Sequence, residues 1–449
     1  MAASRNSPPT ELPERVAAFF APRLPQGRRV CVALSGGRDS VALLQALAET
    51  RATLPIELSA LHVHHGLSAN ADAWAAFCAD LCRRLGIPLQ VRRVRVADDA
   101  GEGLEAAARR ARYAAFAACD ADWLALAHHR DDQAETLLLN LLRGAGVHGL
   151  AAMPEERALS AAAPLRLVRP LLAVARSDIE RWLAARELAW IDDESNADRR
   201  LRRNFLRNDV LPLLATVFPE PAAALARSAA HLGESGALAE AVAVADAAGV
   251  IDGGCLRLPA FNALPPERRA NLLRHHLRCH GWRMPDARYL AEMLRQLAAA
   301  GAAAAPVFAL DGGTLRVFRG CLHLCPAPLA LPATICWRGE AQLPWAGGVL
   351  RFDFGPGIGL RRDLLSGGEL AIRVRQGGEH LQPDLRRPRR PLKKLLQESA
   401  VPPWQRALLP LLWRGDELLW VAGIGVAARH AAAAGEAGVL PIWTPATRG

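Results

Sequence analysis

The chain has 449 residues, of which 51% are hydrophobic and 22% are charged, and its formal net charge is +10. This length predicts about two to four domains. No apolar run is long enough to span a membrane, and residues 1–25 lack the apolar core of a signal peptide. From these features we expect a cytoplasmic protein, and the positive charge favours a polyanionic partner.

Nine cysteines are scattered along the chain, and none belongs to a C-x-x-C pair. Two C-x-x-x-C pairs, Cys78/Cys82 and Cys321/Cys325, could bind a metal ion, but isolated buried thiols are the favoured interpretation. The sequence therefore predicts neither a disulfide framework nor an iron–sulfur cluster.

A strand, a glycine turn and a helix are predicted between Val30 and Leu44. Five apolar residues precede Ser35, a pattern typical of a parallel strand covered on both faces. Gly36 and Gly37 allow a sharp turn close to a ligand, and the helix that begins near Asp39 directs its free N–H groups at that turn. These residues predict a phosphate-binding loop. The alternative is an ordinary strand-to-helix turn with a serine-aspartate cap.

The loop lacks the lysine of a Walker A motif, and its form S-G-G-x-D-S resembles the loop of the ATP pyrophosphatases. That resemblance implies that Ser35, Gly36, Gly37 and Ser40 contact pyrophosphate. It also implies that Asp39 helps to hold Mg²⁺.

The next segments alternate between strands and helices. The stretch from Ile56 to Gly66 predicts a strand that ends in three histidines, for which lining of a pocket is favoured over zinc ligation. A helix (Trp74 to Leu85), a third strand (Leu89 to Val96) and an arginine-rich helical segment (Gly101 to Tyr113) follow.

A fourth strand, Trp123 to Ala127, runs directly into a cluster of histidines and carboxylates. Helical spacing places His128 near Asp132, and Asp131 near Glu135, one turn apart. Acidic residues at a helix start could simply complement the helix dipole, but this cluster favours a metal-assisted site. The alternation predicts a doubly wound parallel α/β sheet with a ligand cleft at the carboxyl ends of its strands.

Two basic segments follow. Five arginines lie between positions 199 and 207 and indicate a polyphosphate-facing surface, with a solubilising run as the alternative. Positions 386–394 carry six positive charges, including Lys393 and Lys394, the only lysines among 55 basic residues. Such a run, followed by tryptophans, suits contacts with a nucleic-acid backbone and bases, although most of the tryptophans are expected in the core.

Three domains are predicted from these patterns. Residues 1–218 form the α/β domain, residues 219–365 a helical middle domain with a linker, and residues 366–449 a small α+β domain. Strand-like pieces are expected at Thr314–Val317 and Val349–Phe354.

An ordered set of segments resembles the tRNA(Ile)-lysidine synthase family. The loop alone is shared with GMP, NAD and asparagine synthetases and with tRNA thiolases, whereas the ordered set is far more specific. The matching segments are residues 35–40, 62–67, 105–113, 128–136, 143–146, 192–196, 203–207 and 392–395.

The resemblance implies an adenine-nucleotide α-hydrolase-like first domain and a ligase that forms a carbon–nitrogen bond. The wobble cytidine of tRNA(Ile) with a CAU anticodon would attack the α phosphorus of ATP through its C2 oxygen and release pyrophosphate. The ε-amine of free lysine would then displace AMP. An attacking amine needs a proton acceptor, since free lysine is an ammonium at neutral pH.

Residue roles follow from the same resemblance. The implied catalytic residues are Asp39, Asp131, Asp132, Glu135, Arg112, His128 and Arg143, with the choice of a base among the carboxylates left open. The implied ATP site comprises Ser35, Gly36, Gly37, Arg38, Asp39, Ser40 and His62, with Asp39 and Asp132 on Mg²⁺. The residues predicted to bind tRNA are Arg199, Arg203, Arg207, Arg387, Arg390, Lys393 and Lys394.

Two other interpretations remain at this point. A tRNA thiolase would share the loop, but such enzymes use a catalytic cysteine pair, commonly C-x-x-C, which this sequence lacks. An RNA-binding protein that keeps the nucleotide domain as a scaffold is disfavoured because the loop and the His128–Asp132 cluster are both intact. Formation of a homodimer is left open.

Overall fold

The computed structural model describes residues 11–96, 103–159, 164–194, 198–300, 306–326, 330–365 and 369–445. Residues 1–10 of the N-terminal segment, and Gly101, Glu102, Ser195 and Asn196 of the motifs discussed above, lie outside these ranges. The chain divides into two units, Met1–Leu238 and Ala239–Gly449. Within the described ranges, no helix is both long and apolar enough to cross a membrane. The division into three domains at 218 and 365 stays a prediction.

The first unit contains a six-stranded sheet with the strand order β3-β2-β1-β4-β6-β5. Its strands are β1 (Arg29–Ala33), β2 (Glu57–His64), β3 (Leu89–Arg93), β4 (Trp123–Ala125), β5 (Glu156–Ala158) and β6 (Arg166–Val168). Its helices are α1 (Leu12–Phe20), α2 (Arg38–Thr50), α3 (Ala71–Leu85), α4 (Leu104–Ala117), α5 (Arg130–Leu141), α6 (Val147–Leu150), α7 (Arg176–Ala184), α8 (Arg202–Phe205) and α9 (Leu211–Ala215). All neighbouring strands are parallel except the edge strand β5.

The central strand β1 explains where a ligand can bind. Val30 pairs with Leu58 of β2 on one side and with Trp123 of β4 on the other, and all three side chains are buried. The strand order therefore reverses between β1 and β4. At such a switch point the connections that follow the two strands diverge and leave a crevice at the carboxyl ends of the strands, where ligands usually bind. The predicted doubly wound sheet and its four parallel strands are confirmed.

The second unit combines helices with antiparallel sheets. The helices that follow α9 are α10 (Pro221–Val250), which includes residues of both units, α11 (Leu258–Ala263), α12 (Pro266–Cys279), α13 (Ala287–Ala299) and α14 (Leu392–Glu398). One five-stranded sheet has the order β7-β8-β11-β10-β9, with β7 (Ile251–Asp252), β8 (Cys255–Arg257), β9 (Val307–Leu310), β10 (Gly313–Phe318) and β11 (Cys321–Pro326). The helical middle region thus also contains a sheet, whose strand β10 includes the predicted piece Thr314–Val317.

The remaining strands follow residue 330 and contribute to an apolar core whose buried residues lie between Trp337 and Val439. They are β12 (Ile335–Trp337), β13 (Gln342–Trp345), β14 (Gly348–Pro356), β15 (Leu360–Arg361), β16 (Leu370–Arg373), β17 (His380–Leu381), β18 (Arg390–Pro391), β19 (Leu411–Arg414), β20 (Glu417–Val421), β21 (Gly425–Val426) and β22 (Ala437–Thr444). Strand β14 confirms the predicted piece Val349–Phe354. Trp420 is buried in this core, as expected, whereas Trp404 is only half-buried.

One expectation about the cysteines is wrong. Cys255 and Cys321 form a disulfide between strands β8 and β11, although the sequence predicted isolated thiols. The two residues are 66 positions apart, so no local spacing signals their contact. The pairing arises because β8 and β11 are neighbours in the sheet.

Candidate active site

A cavity of about 750 Å³ opens at the carboxyl ends of β1, β2 and β4. Ten of the residues predicted to bind ATP, Mg²⁺ or the reacting groups, or to contact tRNA, line it: Ser35, Gly37, Arg38, Asp39, Ser40, His62, Arg112, His128, Asp132 and Arg207. Segments far apart in sequence therefore meet in one place. A volume of this size is within the usual range for small-molecule sites.

The glycine turn is held in a strained shape that only glycine adopts easily. Gly36 has φ of +88°, and a Cβ atom there would lie 2.6 Å from Cδ1 of Ile191. The Ile191 N–H donates a 2.9 Å hydrogen bond to the Gly36 carbonyl. The segment around Ile191 therefore closes one side of the turn and leaves no room for a side chain.

Two serine hydroxyls fix the rest of the turn. The Gly37 N–H donates to Ser35 Oγ at 3.2 Å, and Ser40 Oγ donates to the Gly37 carbonyl at 2.8 Å. The two hydroxyl oxygens lie 3.0 Å apart. The loop is thus ordered by its own hydrogen bonds, and helix α2 begins directly after Gly37 with its free N–H groups at the cavity.

Asp39, in the first turn of α2, lies between cationic groups. Arg38 Nε donates to Asp39 Oδ1 at 3.2 Å, and Arg38 Nη1 donates to Glu180 of α7 at 2.6 Å. The other carboxylate oxygen of Asp39 is 3.7 Å from Nε2 of His129. Arg38 therefore joins α2 to α7 through its ion pair with Glu180, and its second ion pair, within α2, orients the Asp39 carboxylate.

Two neutral imidazoles line the cavity. His62 Nδ1 lies 2.9 Å from the Leu34 carbonyl, and burial lowers its pKa. His128 Nδ1 accepts a 3.3 Å hydrogen bond from Arg169 Nε, and burial lowers the pKa of His128 to about 3. Both side chains can therefore contact a ligand at neutral pH without adding positive charge.

His129, which the sequence analysis did not nominate, occupies the centre of the acidic cluster. Its side chain is 1% exposed, and its Nε2 lies 3.7 Å from Asp39 and 3.6 Å from Asp132, while its Nδ1 lies 3.7 Å from Asp131. Burial opposes charging of the ring, but the three carboxylates outweigh it and raise the pKa of His129. The sequence pointed to this role only through the adjacent pair His128-His129, and it did not show which of the two histidines contacts the carboxylates.

Asp131 caps a neighbouring helix. Its Oδ2 accepts a 2.9 Å hydrogen bond from the backbone N–H of Arg176, the first residue of α7. Burial alone would raise the pKa of Asp131, but the His129 ring and the Arg176 N–H outweigh it and lower that pKa to about 2. This carboxylate therefore connects the cluster to α7.

Asp132 and Glu135 bind two arginines from the basic segment. Glu135 is 1% exposed and accepts hydrogen bonds from Arg203 Nε at 2.7 Å and from Arg207 Nε at 2.6 Å. The same two guanidinium groups donate to Asp132 Oδ1 at 2.9 and 3.0 Å. Burial opposes ionisation of Asp132, but His129 and Arg203 outweigh it and lower the pKa of Asp132. Arg203 and Arg207, predicted to face tRNA, thus support the acidic cluster, and Arg207 also lines the cavity.

The other nominated residues lie elsewhere. Arg143 is exposed in the turn after α5, apart from the residues that line the cavity, and the exposed Arg199 pairs with Asp209 at 3.0 Å. In the second unit, Arg390 donates a 2.8 Å hydrogen bond to Glu398. The nominated residues Arg387, Lys393 and Lys394 are exposed there, the last two on α14.

The donor set of the cavity fits a hard divalent cation beside phosphates. One oxygen each of Asp39 and Asp132 lies within 3.7 Å of the same His129 nitrogen, so the two carboxylates lie close together, and both line the cavity. Mg²⁺ is commonly held by one or two carboxylates together with substrate phosphates. The arrangement can therefore bind a metal–nucleotide complex.

Three family models match the chain. A PP-loop domain matches residues 8–214, a TilS substrate binding domain matches residues 256–323, and a TilS substrate C-terminal domain matches residues 370–443. The first match lies in the first structural unit, and the other two lie in the second.

Similar proteins match along nearly the whole chain. The tRNA(Ile)-lysidine synthase of Nitrosomonas europaea is 42% identical over 99% of this chain and 98% of that protein. The tRNA(Ile)-lysidine synthase of Chromobacterium violaceum is 45% identical over 92% of this chain and 95% of that protein. A solved U34-tRNA thiolase from Methanococcus maripaludis is 18% identical over 50% of this chain and 78% of that chain, with a TM-score of 0.40, a likeness too low to support an inference.

Proposed function

The chain belongs to the tRNA(Ile)-lysidine synthase family, and we propose that it attaches lysine to C2 of the wobble cytidine of tRNA(Ile) with a CAU anticodon. The cytidine O2 attacks the α phosphorus of ATP, the bond to the β-phosphate oxygen breaks, and pyrophosphate leaves. The lysine ε-amine then attacks C2, loses a proton, and displaces AMP. The observation that carries this proposal is that the glycine turn and the His128–Asp132 cluster face one cavity.

The glycine turn supplies the pyrophosphate site. Its ordered backbone and the start of α2 offer N–H donors, which stabilise negative charge as the α–β phosphate bond breaks. Because Ser35 and Ser40 already hold the turn in shape, these donors need little reorganisation when ATP binds. His62 and His128, both neutral, line the same cavity beside the nucleotide.

Asp39 and Asp132 are the residues that would hold Mg²⁺. Bound there, the ion would neutralise charge on the phosphates and on the leaving pyrophosphate. His129 keeps both carboxylates in place through the contacts described above.

Asp132 is the carboxylate best placed to contact the reacting groups. It lines the cavity, whereas Asp131 caps α7 and Glu135 is buried between two arginines. We therefore assign Asp132 to the site that receives the lysine ammonium or the metal, and Asp131 and Glu135 to its positioning. The lowered pKa of Asp132 keeps it ionised and attractive to a cation at neutral pH.

The thiolase alternative is not favoured. No cysteine lines the cavity among the residues that the structure describes. The C-x-x-x-C pair in the same structural unit as the cavity is Cys78 and Cys82. Both are buried, and burial raises their pKa values to about 12 and about 11. Such thiols stay protonated at neutral pH and are poor nucleophiles.

Binding of tRNA is assigned to the exposed cations of the second unit. Lys393 and Lys394 are both exposed on α14, whose buried face is formed by Leu392, Leu395 and Leu396. Ammonium groups in this position suit phosphate contacts, which fix a nucleic acid without reading its sequence. We place the reaction in the cytoplasm.

The decisive experiment follows lysine incorporation. The protein is incubated with ATP, labelled lysine and a CAU-anticodon tRNA transcript, beside a transcript whose wobble cytidine is replaced. We expect label only in the first transcript. Incorporation into both, or into neither, would overturn the assignment.

A substitution tests the role of the loop. Asp39→Asn should abolish pyrophosphate release while tRNA binding, measured by filter retention, stays close to that of the original protein. Equal pyrophosphate release by the variant would remove Asp39 from the metal site.

A further inference from the structure

We propose that Cys255, Cys321 and His323 form a binding site for a zinc-type divalent metal ion when the two cysteines are reduced. The three residues offer two sulfur atoms and one imidazole nitrogen, and these atoms all lie within 4.8 Å of one another. The site is in the second unit, so it does not depend on the chemistry assigned to the first unit.

Strand register brings the three side chains together. Cys321 of β11 pairs with Arg257 of β8, and Leu322 pairs with Leu256, so the antiparallel register continues to place Cys255 opposite His323. Cys321 and His323 are two positions apart on one strand, and their side chains therefore point to the same face of the sheet.

Reduction lets the ligand atoms reach tetrahedral spacing. Ligand atoms about 2.0–2.3 Å from zinc in a tetrahedron lie about 3.3–3.8 Å from each other. The imidazole nitrogen lies within 4.8 Å of both sulfur atoms, and the two sulfur atoms move apart once the disulfide bond is broken. Two thiolates and one imidazole are a donor set that favours zinc over harder cations. Three protein ligands leave one position for water.

The burial of the three ligands differs, which leaves a route for a metal ion to reach them. Cys255 is buried, whereas Cys321 and His323 are half-buried, so an ion can enter from the side of β11. The His323 ring packs edge-on to Trp404 at 5.5 Å between centroids and lies 6.5 Å from the Phe318 ring. These aromatic contacts hold the imidazole over the strand.

The metal-binding form requires reduction of the disulfide seen in the structure. A small dithiol supplies two electrons and two protons: the Cys255–Cys321 bond breaks to give two thiols, and the reagent closes its own disulfide. Metal binding then displaces the two thiol protons. The disulfide and metal-bound forms are mutually exclusive because they use the same sulfur atoms.

A second cluster provides the matched control. Glu240, His275 and Cys279 also lie within 4.8 Å of one another. Here, however, Glu240 already bonds to His275 at 2.8 Å and to Arg278, and the cluster holds a single thiol. Of these two clusters, only the first can give the charge-transfer absorption of a metal ion bound by two thiolates.

The test is a cobalt titration of the full chain. The protein is reduced with a dithiol, freed of reagent under argon, and titrated with Co²⁺ while thiolate-to-cobalt charge-transfer absorption is recorded. We expect saturation at about one equivalent. We expect the band to disappear in Cys321→Ser, to weaken at least tenfold in apparent affinity in His323→Ala, and to persist in Cys279→Ser.

A stability measurement keeps the test informative if a cysteine variant folds poorly. At one fixed Zn²⁺ concentration, the unfolding temperature should rise for the reduced original protein and for Cys279→Ser, and should rise less for His323→Ala. Absence of the band in reduced, folded protein, its survival in Cys321→Ser, or its loss in Cys279→Ser would overturn the proposal.

Discussion

Replacement of Glu135 by glutamine tests the ion network behind the cavity. The Glu135 carboxylate is 1% exposed and accepts three hydrogen bonds, from Arg203 Nε at 2.7 Å and from Arg207 Nε and Nη2 at 2.6 and 3.0 Å. Removal of one partner of a buried ion pair costs about 3–5 kcal/mol. The arginine side chains are 36% and 22% exposed and keep their bonds to Asp132, so we expect the lower end, about 3 kcal/mol.

Hydrogen exchange provides a local readout of that cost. The opening free energy of the α5 backbone amides, measured by mass spectrometry, should fall in Glu135→Gln and in Arg207→Met. The double variant should lose less than the sum of the single variants by about 1–2 kcal/mol, because both changes break the same contact. Arg200→Met is the matched control: Arg200 is 91% exposed and its ion pair with Asp198 is local, so α5 should not change.

If the free-energy costs of the two single substitutions were additive, the proposed coupling between Glu135 and Arg207 would be refuted. If the two single costs sum to the double cost within about 0.5 kcal/mol, Glu135 and Arg207 do not stabilise the protein through each other. A loss of α5 protection in Arg200→Met would show that removal of any arginine has the same effect.

Three further predictions follow from the same structure. Gly36→Ala should abolish pyrophosphate release, because its Cβ would lie 2.6 Å from Ile191, whereas Gly86→Ala, also at positive φ but in open space, should retain it. Since the pKa of Asp131 is lowered to about 2, its ionised form stabilises the fold above about pH 4, and this contribution is lost as the pH falls towards 2. Acid titration of unfolding should therefore show a weaker dependence between pH 4 and 2 in Asp131→Asn, and an unchanged profile would contradict the capping role. Lys393→Ala with Lys394→Ala should weaken tRNA binding and reduce the salt slope by about 1 per lysine, and an unchanged slope would exclude phosphate contacts.

The sequence determined the parts of the site that depend on local order. The apolar run before Ser35, the two glycines after it and the helical residues from Asp39 onward specify a strand, a turn and a helix through interactions of neighbours in the chain. The histidine and aspartate residues after β4 were likewise located by their place at a strand end. These local rules also predicted the doubly wound sheet.

Only the tertiary structure decided how the charges are paired. Glu135 meets Arg203 and Arg207 across 68 and 72 residues, and Cys255 meets Cys321 across 66. No spacing rule reaches so far, since such contacts depend on how separate elements pack. The roles of these side chains therefore depended on burial: a carboxylate removed from water must find a cation, and the fold brought the arginines of the basic segment to it.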